Sequence, residues 1–468
     1  MGWGINLDGP LTGSPPAFSY QANPYFRQLL GGRSCPGAAG AICYGRIYVP
    51  WDAASSGHGS FEAGTCQPAP SGPGTPDATF RAAVVAADRL FGAGHLLISL
   101  TTAPAGSPDD IWPTDAEYEC GLSALERQAP GVAEWEVFNE PDSNYAAATS
   151  ATDCTHRNGV WVGSGTADQC LLGSRGAGGN GHGGSAQAAA YWYLDAKRVD
   201  PSSGHTLLAG GFNYSSSRCT PSTCYYLRGY MRVLSRVYSH PPDAIALNPY
   251  IDVSYAALGG GDPVPPASSG LPSAQGAIVA IDRTFPSDPP IWFTEVGVWL
   301  TDAGKEPVTK GCADGNPKDD GSWSACLNGN PKAQALAAEG YLRLPSESSQ
   351  VQRVYYYDFD GQNPGWDSGL VNLSASLTGQ DGYGVPRTAW CVFDGSAHGD
   401  TPVAAATDAV RDGSRCEQMQ GGDPAAVDVA YLSDPLTSSL PPTVTPGELS
   451  REVALTVAER IRALVAVL

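Results

Sequence analysis

The chain has 468 residues, and 42% of them are hydrophobic, which is enough for a sizeable core. Acidic residues outnumber basic ones by 47 to 27, and the resulting formal net charge of −20 repels phosphate backbones and anionic lipids. We therefore expect no nucleic-acid partner and no membrane-surface role, and no apolar run approaches the ~20 residues of a membrane-spanning helix.

Eight short apolar runs, rich in Val, Ile, Leu, Tyr and Phe, predict strands that are buried on both faces. In chain order they cover residues 4–7, 44–50, 95–101, 134–139, 206–212, 244–249, 291–295 and 351–358. Helices are predicted at 20–30, 77–91, 116–128, 186–199, 224–238, 273–285 and 333–344. This alternation indicates a parallel sheet. Eight repeats, with no Gly-x-Gly-x-x-Gly after the first strand, favour an α/β fold of the (β/α)8 TIM-barrel class over a dinucleotide-binding open sheet.

Long segments follow five of the predicted strands, at 142–185, 213–223, 252–272, 297–331 and 360–386. Loops after strands lie at the carboxyl face of a barrel, where active sites form. We predict a barrel with insertions over residues 1–432, a Pro/Ser/Thr-rich linker over 433–449 and an amphipathic helix over 450–468. The helix is expected to dock on the barrel of a monomer, and the alternative is an oligomerisation or attachment element.

The 12 cysteines are spaced as a disulfide framework. An even number in short local loops is typical of an oxidising compartment, so we expect a secreted protein whose signal peptide is absent from this sequence. The alternative, a zinc site, lacks any C-x2-C pair. The predicted close pairs are Cys35–Cys43, Cys154–Cys170, Cys219–Cys224, Cys312–Cys326 and Cys391–Cys416, which leaves Cys66 and Cys120 to pair across a longer loop.

Two motifs place a glutamate at the carboxyl end of an apolar strand. EWEVFNEPD ends the fourth predicted strand with Glu140, and PIWFTEVGVW ends the seventh with Glu295. Burying an unpaired carboxylate is costly, so each of these glutamates needs either a partner or a chemical task. A satisfied structural carboxylate and a metal ligand are the alternatives for each motif alone, and their occurrence together favours a shared catalytic role.

Over residues 1–395 the sequence resembles glycoside hydrolase clan A, with families thirty-nine and five the nearest in appearance. The resemblance implies a retaining hydrolase in which Glu140 is the acid/base, its pKa raised by burial and nearby charge, and Glu295 is the nucleophile. Asn139, which precedes Glu140, would bind the sugar 2-hydroxyl. No cofactor and no metal are implied.

Other positions match the clan less closely. Arg46, in YGRIYVPW, corresponds to the clan's arginine beneath the nucleophile, although a structural salt bridge explains it equally well. Tyr250, in ALNPY, corresponds to the group that hydrogen-bonds the nucleophile, and Asn248 stands where many relatives have His. The clan's usual Trp after strand eight is missing, so Tyr357, Asp358 or Trp366 is expected to face the sugar.

Aromatic side chains are candidate sugar platforms, although each is as compatible with a core position. Trp299 and Trp366 stand out because they follow strands seven and eight. The full set of candidates is Trp51, Trp112, Tyr145, Trp161, Trp299, Trp323 and Trp366.

The sequence therefore predicts a retaining glycosidase that acts on a carbohydrate substrate with β-glycosidic or equivalent α-L-arabinosyl bonds. Exo action is expected because the insertions are many and are predicted to be cross-linked by disulfides. An endo-acting cellulase-like or hemicellulase-like enzyme is the alternative. A carbohydrate-binding pseudoenzyme and a metal-dependent barrel hydrolase are the other classes. The latter needs clustered histidines at strand ends, which the 7 histidines do not provide. The Asp-rich loop 312–326 is expected to be solvated, with calcium binding as its alternative.

Overall fold

The computed structural model describes residues 1–7, 23–30, 40–54, 66, 76–101, 113–141, 160–162, 169–171, 185–200, 204–213, 225–238, 240–259, 273–297, 331–359, 369–372 and 385–411. All of them belong to the first of two compact units, Met1–Gln420. The second unit, Gly421–Leu468, lies outside the described residues, and with it the predicted linker and C-terminal helix.

Eight parallel strands close into a barrel, and this confirms the predicted fold class. Around the barrel their order is β1-β8-β7-β6-β5-β4-β3-β2, and β1 completes the closure by pairing with both β2 and β8. The strands are β1 (Gly2–Asn6), β2 (Tyr44–Pro50), β3 (Leu96–Thr101), β4 (Glu134–Glu136), β5 (Thr206–Phe212), β6 (Ala244–Leu247), β7 (Ile291–Val296) and β8 (Val351–Tyr356).

Helices alternate with these strands, and each of the seven predicted helices is present with its ends moved by a few residues. The helices of the described chain are α1 (Pro24–Leu29), α2 (Pro76–Phe91), α3 (Asp115–Gln128), α4 (Ser185–Val199), α5 (Tyr225–Val237), α6 (Tyr250–Gly259), α7 (Ala274–Asp282), α8 (Pro331–Arg343), α9 (Thr388–Ala397) and α10 (Pro402–Arg411). None of them is long and apolar enough to cross a bilayer. Where the sequence carries a cap, the helix begins at it: Thr114 and Glu117 form a reciprocal capping box at the start of α3.

Helix α6 lies where the sequence analysis predicted the start of a long loop, so that prediction was wrong for residues 252–259. The segment YIDVSYAALG has no Gly or Pro before its last residue, and it buries Val253 and Ala256. Its Asp252 carboxylate accepts hydrogen bonds from the backbone N–H of Ala274 at 3.0 and 3.2 Å, which ties α6 to the start of α7. The burial of Val253 and Ala256 and the Asp252 hydrogen bonds stabilise a helix here, although the Gly- and Pro-rich sequence after residue 258 is typical of a loop.

The amino-terminal half of the barrel is filled with large side chains. The Arg353 guanidinium lies 3.6 Å from the centre of the Tyr44 ring and 4.5 Å from that of Trp292, and it ion-pairs with Glu134 at 2.8 Å. Strand β1 makes room for two of them, because a β-carbon at Gly2 would lie 2.6 Å from side-chain carbons of both Arg353 and Tyr44. This end is therefore packed, whereas the active sites of barrel enzymes lie at the carboxyl end.

The Cys66–Cys120 disulfide ties a residue between β2 and α2 to helix α3, as the sequence predicted. Cys43 and Cys391 are also disulfide-bonded, and no cysteine within the described ranges is free. Each of the other predicted pairs involves at least one residue outside the described part of the chain. Two short antiparallel hairpins follow β4 and β8, at Val160–Val162 with Gln169–Leu171 and at Val371–Asn372 with Val385–Pro386.

Candidate active site

The polar side chains at the carboxyl ends of β2, β4, β6 and β7 meet around the two predicted glutamates. Beyond β4 the chain stays hydrogen-bonded to both neighbouring strands, because Asn139 N donates to Leu100 O at 2.7 Å and Glu140 N donates to Gly211 O at 2.9 Å. Glu140 itself has a φ of +42°, a left-handed conformation that a non-glycine residue rarely adopts. Such backbone strain is common at functional sites, where surrounding contacts hold it in place.

A bulge in β7 presents consecutive residues to the site. Phe293 pairs with Val354 and Val296 pairs with Tyr356, so β7 contains one more residue than β8 over this stretch. The extra residue lets the side chains of both Thr294 and Glu295 reach the interior.

Asn248, which follows β6, connects the two glutamates. Its Nδ2 donates to Glu140 Oε1 at 3.0 Å and to Glu295 Oε2 at 3.4 Å, while its Oδ1 accepts from the Thr294 hydroxyl at 3.0 Å. A single amide nitrogen within hydrogen-bonding distance of both carboxylates brings one oxygen of each to the same side of the site. The sequence named Asn248 without a role, and in the structure it is the shared donor.

Glu295 is held through both of its oxygens. Oε2 accepts from the Tyr48 hydroxyl at 2.8 Å and from Arg46 Nη1 at 3.2 Å, and Oε1 accepts from the Tyr250 hydroxyl in a short contact. Burial first, and then the charge of Glu295, raise the pKa of Tyr250 well above its usual value, so this hydroxyl remains a donor. Sequence reasoning proposed Arg46 and Tyr250 but missed Tyr48. The period-two alternation of β2 could have found Tyr48, because Arg46 and Tyr48 face the same side of the strand.

Arg46 is fully buried, and it lies beneath the site rather than in it. Its two amino groups donate to Asn6 Oδ1 at 2.8 Å, Asn139 Oδ1 at 2.7 Å and Ser99 Oγ at 2.9 Å. Its Nε donates to Glu136 at 2.8 Å, so the structural salt bridge and the contact with Glu295 are both present. Burial alone would lower the pKa of Arg46, but the charges of Glu136, Tyr48 and Glu295 outweigh it and raise the pKa.

The remaining predicted residues divide into three cases. Tyr357 lies beside the site, with its ring 6.4 Å from that of Tyr48 in an edge-to-face arrangement. Trp51 is 0% exposed and its ring packs on Gly121 of α3, so its prediction as a sugar platform was wrong. Trp299 and Trp366 lie outside the described residues, as do Trp112, Tyr145 and Trp323, and nothing is described of the Trp161 side chain.

No family model matches the chain. No curated protein matches it either. Among solved structures, the chain is similar to a family 39 glycoside hydrolase from Bacteroides cellulosilyticus WH2, with 16% identity, a TM-score of 0.45 and coverage of 84% of this chain and 63% of that one. The chain thus spans just under two thirds of that protein.

Two further solved structures are similar at the same level. Xylanase10C from Cellvibrio japonicus has 10% identity and a TM-score of 0.43, over 85% of this chain and 70% of the xylanase. GH5_18 from Bifidobacterium longum subsp. longum ATCC 55813 has 13% identity and a TM-score of 0.44, over 89% of this chain and 79% of that one.

Proposed function

We propose that the chain is a retaining glycoside hydrolase that cleaves β-glycosidic bonds, or stereochemically equivalent α-L-arabinosyl bonds, in an oligo- or polysaccharide. The observation that carries this proposal is the single amide of Asn248 between Glu140 and Glu295. Two carboxyls this close can act on the same anomeric carbon, one as nucleophile and one as proton donor.

In the first step the Glu295 carboxylate attacks the anomeric carbon and forms a glycosyl ester. The glycosidic C–O bond breaks as Glu140 gives its proton to the departing oxygen. In the second step Glu140 takes a proton from water, whose oxygen attacks the same carbon and releases Glu295 as a carboxylate. Two inversions restore the original configuration, and both glutamates return to their starting protonation states.

The contacts of Glu295 suit the role of nucleophile. Arg46 supplies a positive charge, and Tyr48 and Tyr250 each donate a hydrogen bond to a different oxygen. These three donors fix the orientation of the Glu295 carboxylate. Glu140 is buried beside it and accepts from the same Asn248 amide, which places its carboxyl to give a proton to the departing oxygen.

Asn139 is suited to binding the sugar next to the reacting carbon. Its Oδ1 accepts from Arg46, so Nδ2 is the atom left to donate to the 2-hydroxyl. That bond would strengthen as charge develops on the sugar ring in the transition state.

Two finer points belong to the same proposal. Exo action is supported by the five long segments after strands, three of which contain cysteines of the predicted close pairs. Secretion is supported by the disulfides of the described chain, because such bonds persist in oxidising compartments.

The test combines a panel of aryl glycosides with two variants. Glu295→Ala and Glu140→Ala are each expected to remove nearly all hydrolysis, and azide should partly restore the Glu295 variant while giving the inverted glycosyl azide. Product NMR on the wild type should show retained configuration at the anomeric carbon. Glu339→Ala, on the outer helix α8, serves as the control that keeps wild-type rates. Wild-type rates in both active-site variants, or an inverted wild-type product, would reject the proposal.

A further inference from the structure

A third carboxylate, Glu136, lies beneath the two described above. It belongs to β4, four residues before Glu140, and it is 0% exposed. The mechanism just given makes no use of it. A fully buried carboxylate costs free energy unless it is paired, so its contacts indicate what it does.

The partner of Glu136 is the same arginine that contacts Glu295. Arg46 Nε donates to Glu136 Oε2 at 2.8 Å, and Nη1 of the same guanidinium reaches Glu295 Oε2 at 3.2 Å. One positive charge is therefore shared between two carboxylates, and the buried one has the shorter contact.

The neighbouring strands leave room for this carboxylate and little else. A β-carbon at Gly211 would lie 1.9 Å from Glu136 Oε1, so only glycine fits there. A bulge in β5 brings Gly211 to this place, because the register shifts by one residue between Ala209 and Gly211. The Thr294 hydroxyl lies 3.5 Å from the same oxygen. The groups that face Glu136 are thus Arg46 from β2, Ser99 from β3, Gly211 from β5, and Thr294 and Glu295 from β7.

The charge of Glu136 depends on these neighbours. Burial raises the pKa of Glu136. The charge of Arg46 and the hydrogen bonds from Arg46 and Ser99 lower it, and the charge of Glu295 raises it. Together they raise the pKa of Glu136 to about 7. Electrostatic coupling is reciprocal, so the charge on Glu136 must also act on Glu295.

We propose that Glu136 is a positioning residue of the reaction: it anchors Arg46 through Nε and takes up part of its charge, and so sets how strongly Arg46 holds the Glu295 carboxylate. The reaction part of this inference rests on the proposed function. The coupling between Glu136 and Glu295 does not.

The first experiment measures kcat and KM against pH for the wild type and Glu136→Gln, with an aryl glycoside that the wild type hydrolyses. Gln preserves the shape and an acceptor for Nε but removes the negative charge. In Glu136→Gln the charge of Arg46 acts on Glu295 alone, so the acid limb of kcat/KM should move down by about one pH unit. The kcat should fall about tenfold, and KM should remain nearly unchanged. An unchanged acid limb would overturn the proposal.

Glu134→Gln is the matched control. Glu134 is also a buried glutamate of β4, and it is also paired with an arginine, Arg353, at 2.8 Å. It lies in the packed amino-terminal half of the barrel, away from Glu295. Its replacement should reduce thermal stability without moving the acid limb. An equal shift in both variants would mean that Glu136 acts only through stability.

The second experiment needs no activity. Carboxyl carbons of 13C-labelled glutamates are followed by NMR from pH 4 to 9, with the Glu136 signal assigned by its loss in Glu136→Gln or Glu136→Asp. In Glu295→Gln the pKa of Glu136 should fall by about one unit, because the neighbouring negative charge is removed and Arg46 ion-pairs with Glu136 alone. An unchanged value refutes the inference even where the first experiment cannot be run. A shift in a wild-type protein that hydrolyses no glycoside would support the coupling and reject the proposed function.

Discussion

Asn248 is the residue whose amide contacts both glutamates. It is fully buried, and its amide donates to both carboxylates while Thr294 fixes its orientation. Asn248→Leu is expected to lower kcat by about 10²-fold, because both carboxylates lose a hydrogen-bond donor at a buried position. Asn248→Asp should lower kcat further, since it adds a negative charge between Glu140 and Glu295.

The kinetics of these variants should be compared with those of Asn23→Ala. Asn23 caps α1 by accepting from the Phe26 N–H at 3.1 Å. That change should cost about 1 kcal/mol of unfolding free energy and leave kcat intact. Equal kcat values in Asn248→Leu and the wild type would show that Asn248 does not contribute to catalysis.

A second residue-scale prediction concerns Glu126, near the amino end of β5. Burial first, and then the charge of Asp200, raise the pKa of Glu126 from 4.5 to about 8. The folded protein therefore holds a proton on Glu126 that the unfolded chain has already lost between these two pH values. Its contribution favours folding at pH below 4.5 and is lost as pH rises to about 8.

Glu126→Gln should flatten this part of the stability profile, and chemical denaturation at several pH values between 4.5 and 8 measures it. Glu119→Gln, which removes a carboxylate of the same helix at its surface, is the comparison. A Glu126→Gln profile parallel to that of the wild type would show that this carboxyl titrates normally.

At the scale of elements, strand β1 requires glycine where large side chains of the neighbouring strands pack against it. Tyr355 occupies the space where a side chain on Gly4 would be. Gly4→Ala should lower the unfolding free energy by about 1–3 kcal/mol, since Tyr355 lies in a fully packed barrel and has no room to move. Gly94→Ala, with nothing within 4 Å of the added carbon, is the control that should change stability little. A denaturation midpoint in Gly4→Ala equal to that of the wild type would mean that the barrel interior is looser than its contacts indicate.

The disulfide between Cys66 and Cys120 restrains a loop with a sequence separation of 54. Closing a loop of that length in the unfolded chain is worth about 4 kcal/mol by loop entropy, so the Cys66→Ala/Cys120→Ala variant should be less stable by up to that amount. Thermal unfolding of this variant and of the wild type, under the same non-reducing conditions, measures the difference. No loss of stability would show that other contacts hold α3 and the segment before α2.

The sequence predicted the elements well because strands buried on both faces leave a clear apolar signal. The strand at Thr206–Phe212 begins and ends where it was predicted, and so does Tyr44–Pro50. The pairing register of the strands could not be predicted from the sequence. Neither the bulge that brings Thr294 and Glu295 to the same side nor the one that brings Gly211 to Glu136 follows from local pattern, since each is defined only by the neighbouring strand.

The same limit applies to the site. Glu140 and Glu295 were found because a carboxylate closing an apolar strand is unusual. Tyr48 lies inside β2, and Glu136 lies inside the predicted strand 134–139, where a polar residue among apolar ones is easily taken for an ordinary buried polar residue. Trp51 was misassigned because an aromatic residue after a strand is equally common in a cleft and in a core, and only packing on Gly121 decides between them.

At the scale of the whole molecule, the two ends of the barrel have different tasks. The amino-terminal half is closed by Arg353, Tyr44 and Trp292 around Glu134, and the carboxyl-terminal half gathers the carboxylates around Arg46. Barrel enzymes generally have their active sites at the carboxyl end and stabilising contacts at the other, and the proposed function divides this barrel in the same way. Changes at the first end should therefore alter unfolding more than rate, and changes at the second should do the reverse.

The central claim is that Glu295 forms a covalent bond with the sugar, and trapping that bond tests it most directly. A 2-deoxy-2-fluoro glycoside with a good leaving group, matched to the aryl glycoside that the wild type accepts, slows both steps and lets the glycosyl ester accumulate. Peptide mass spectrometry should then find the added mass on Glu295. A label on Glu140 or any other residue, or steady turnover to an inverted product with no label, would contradict the account.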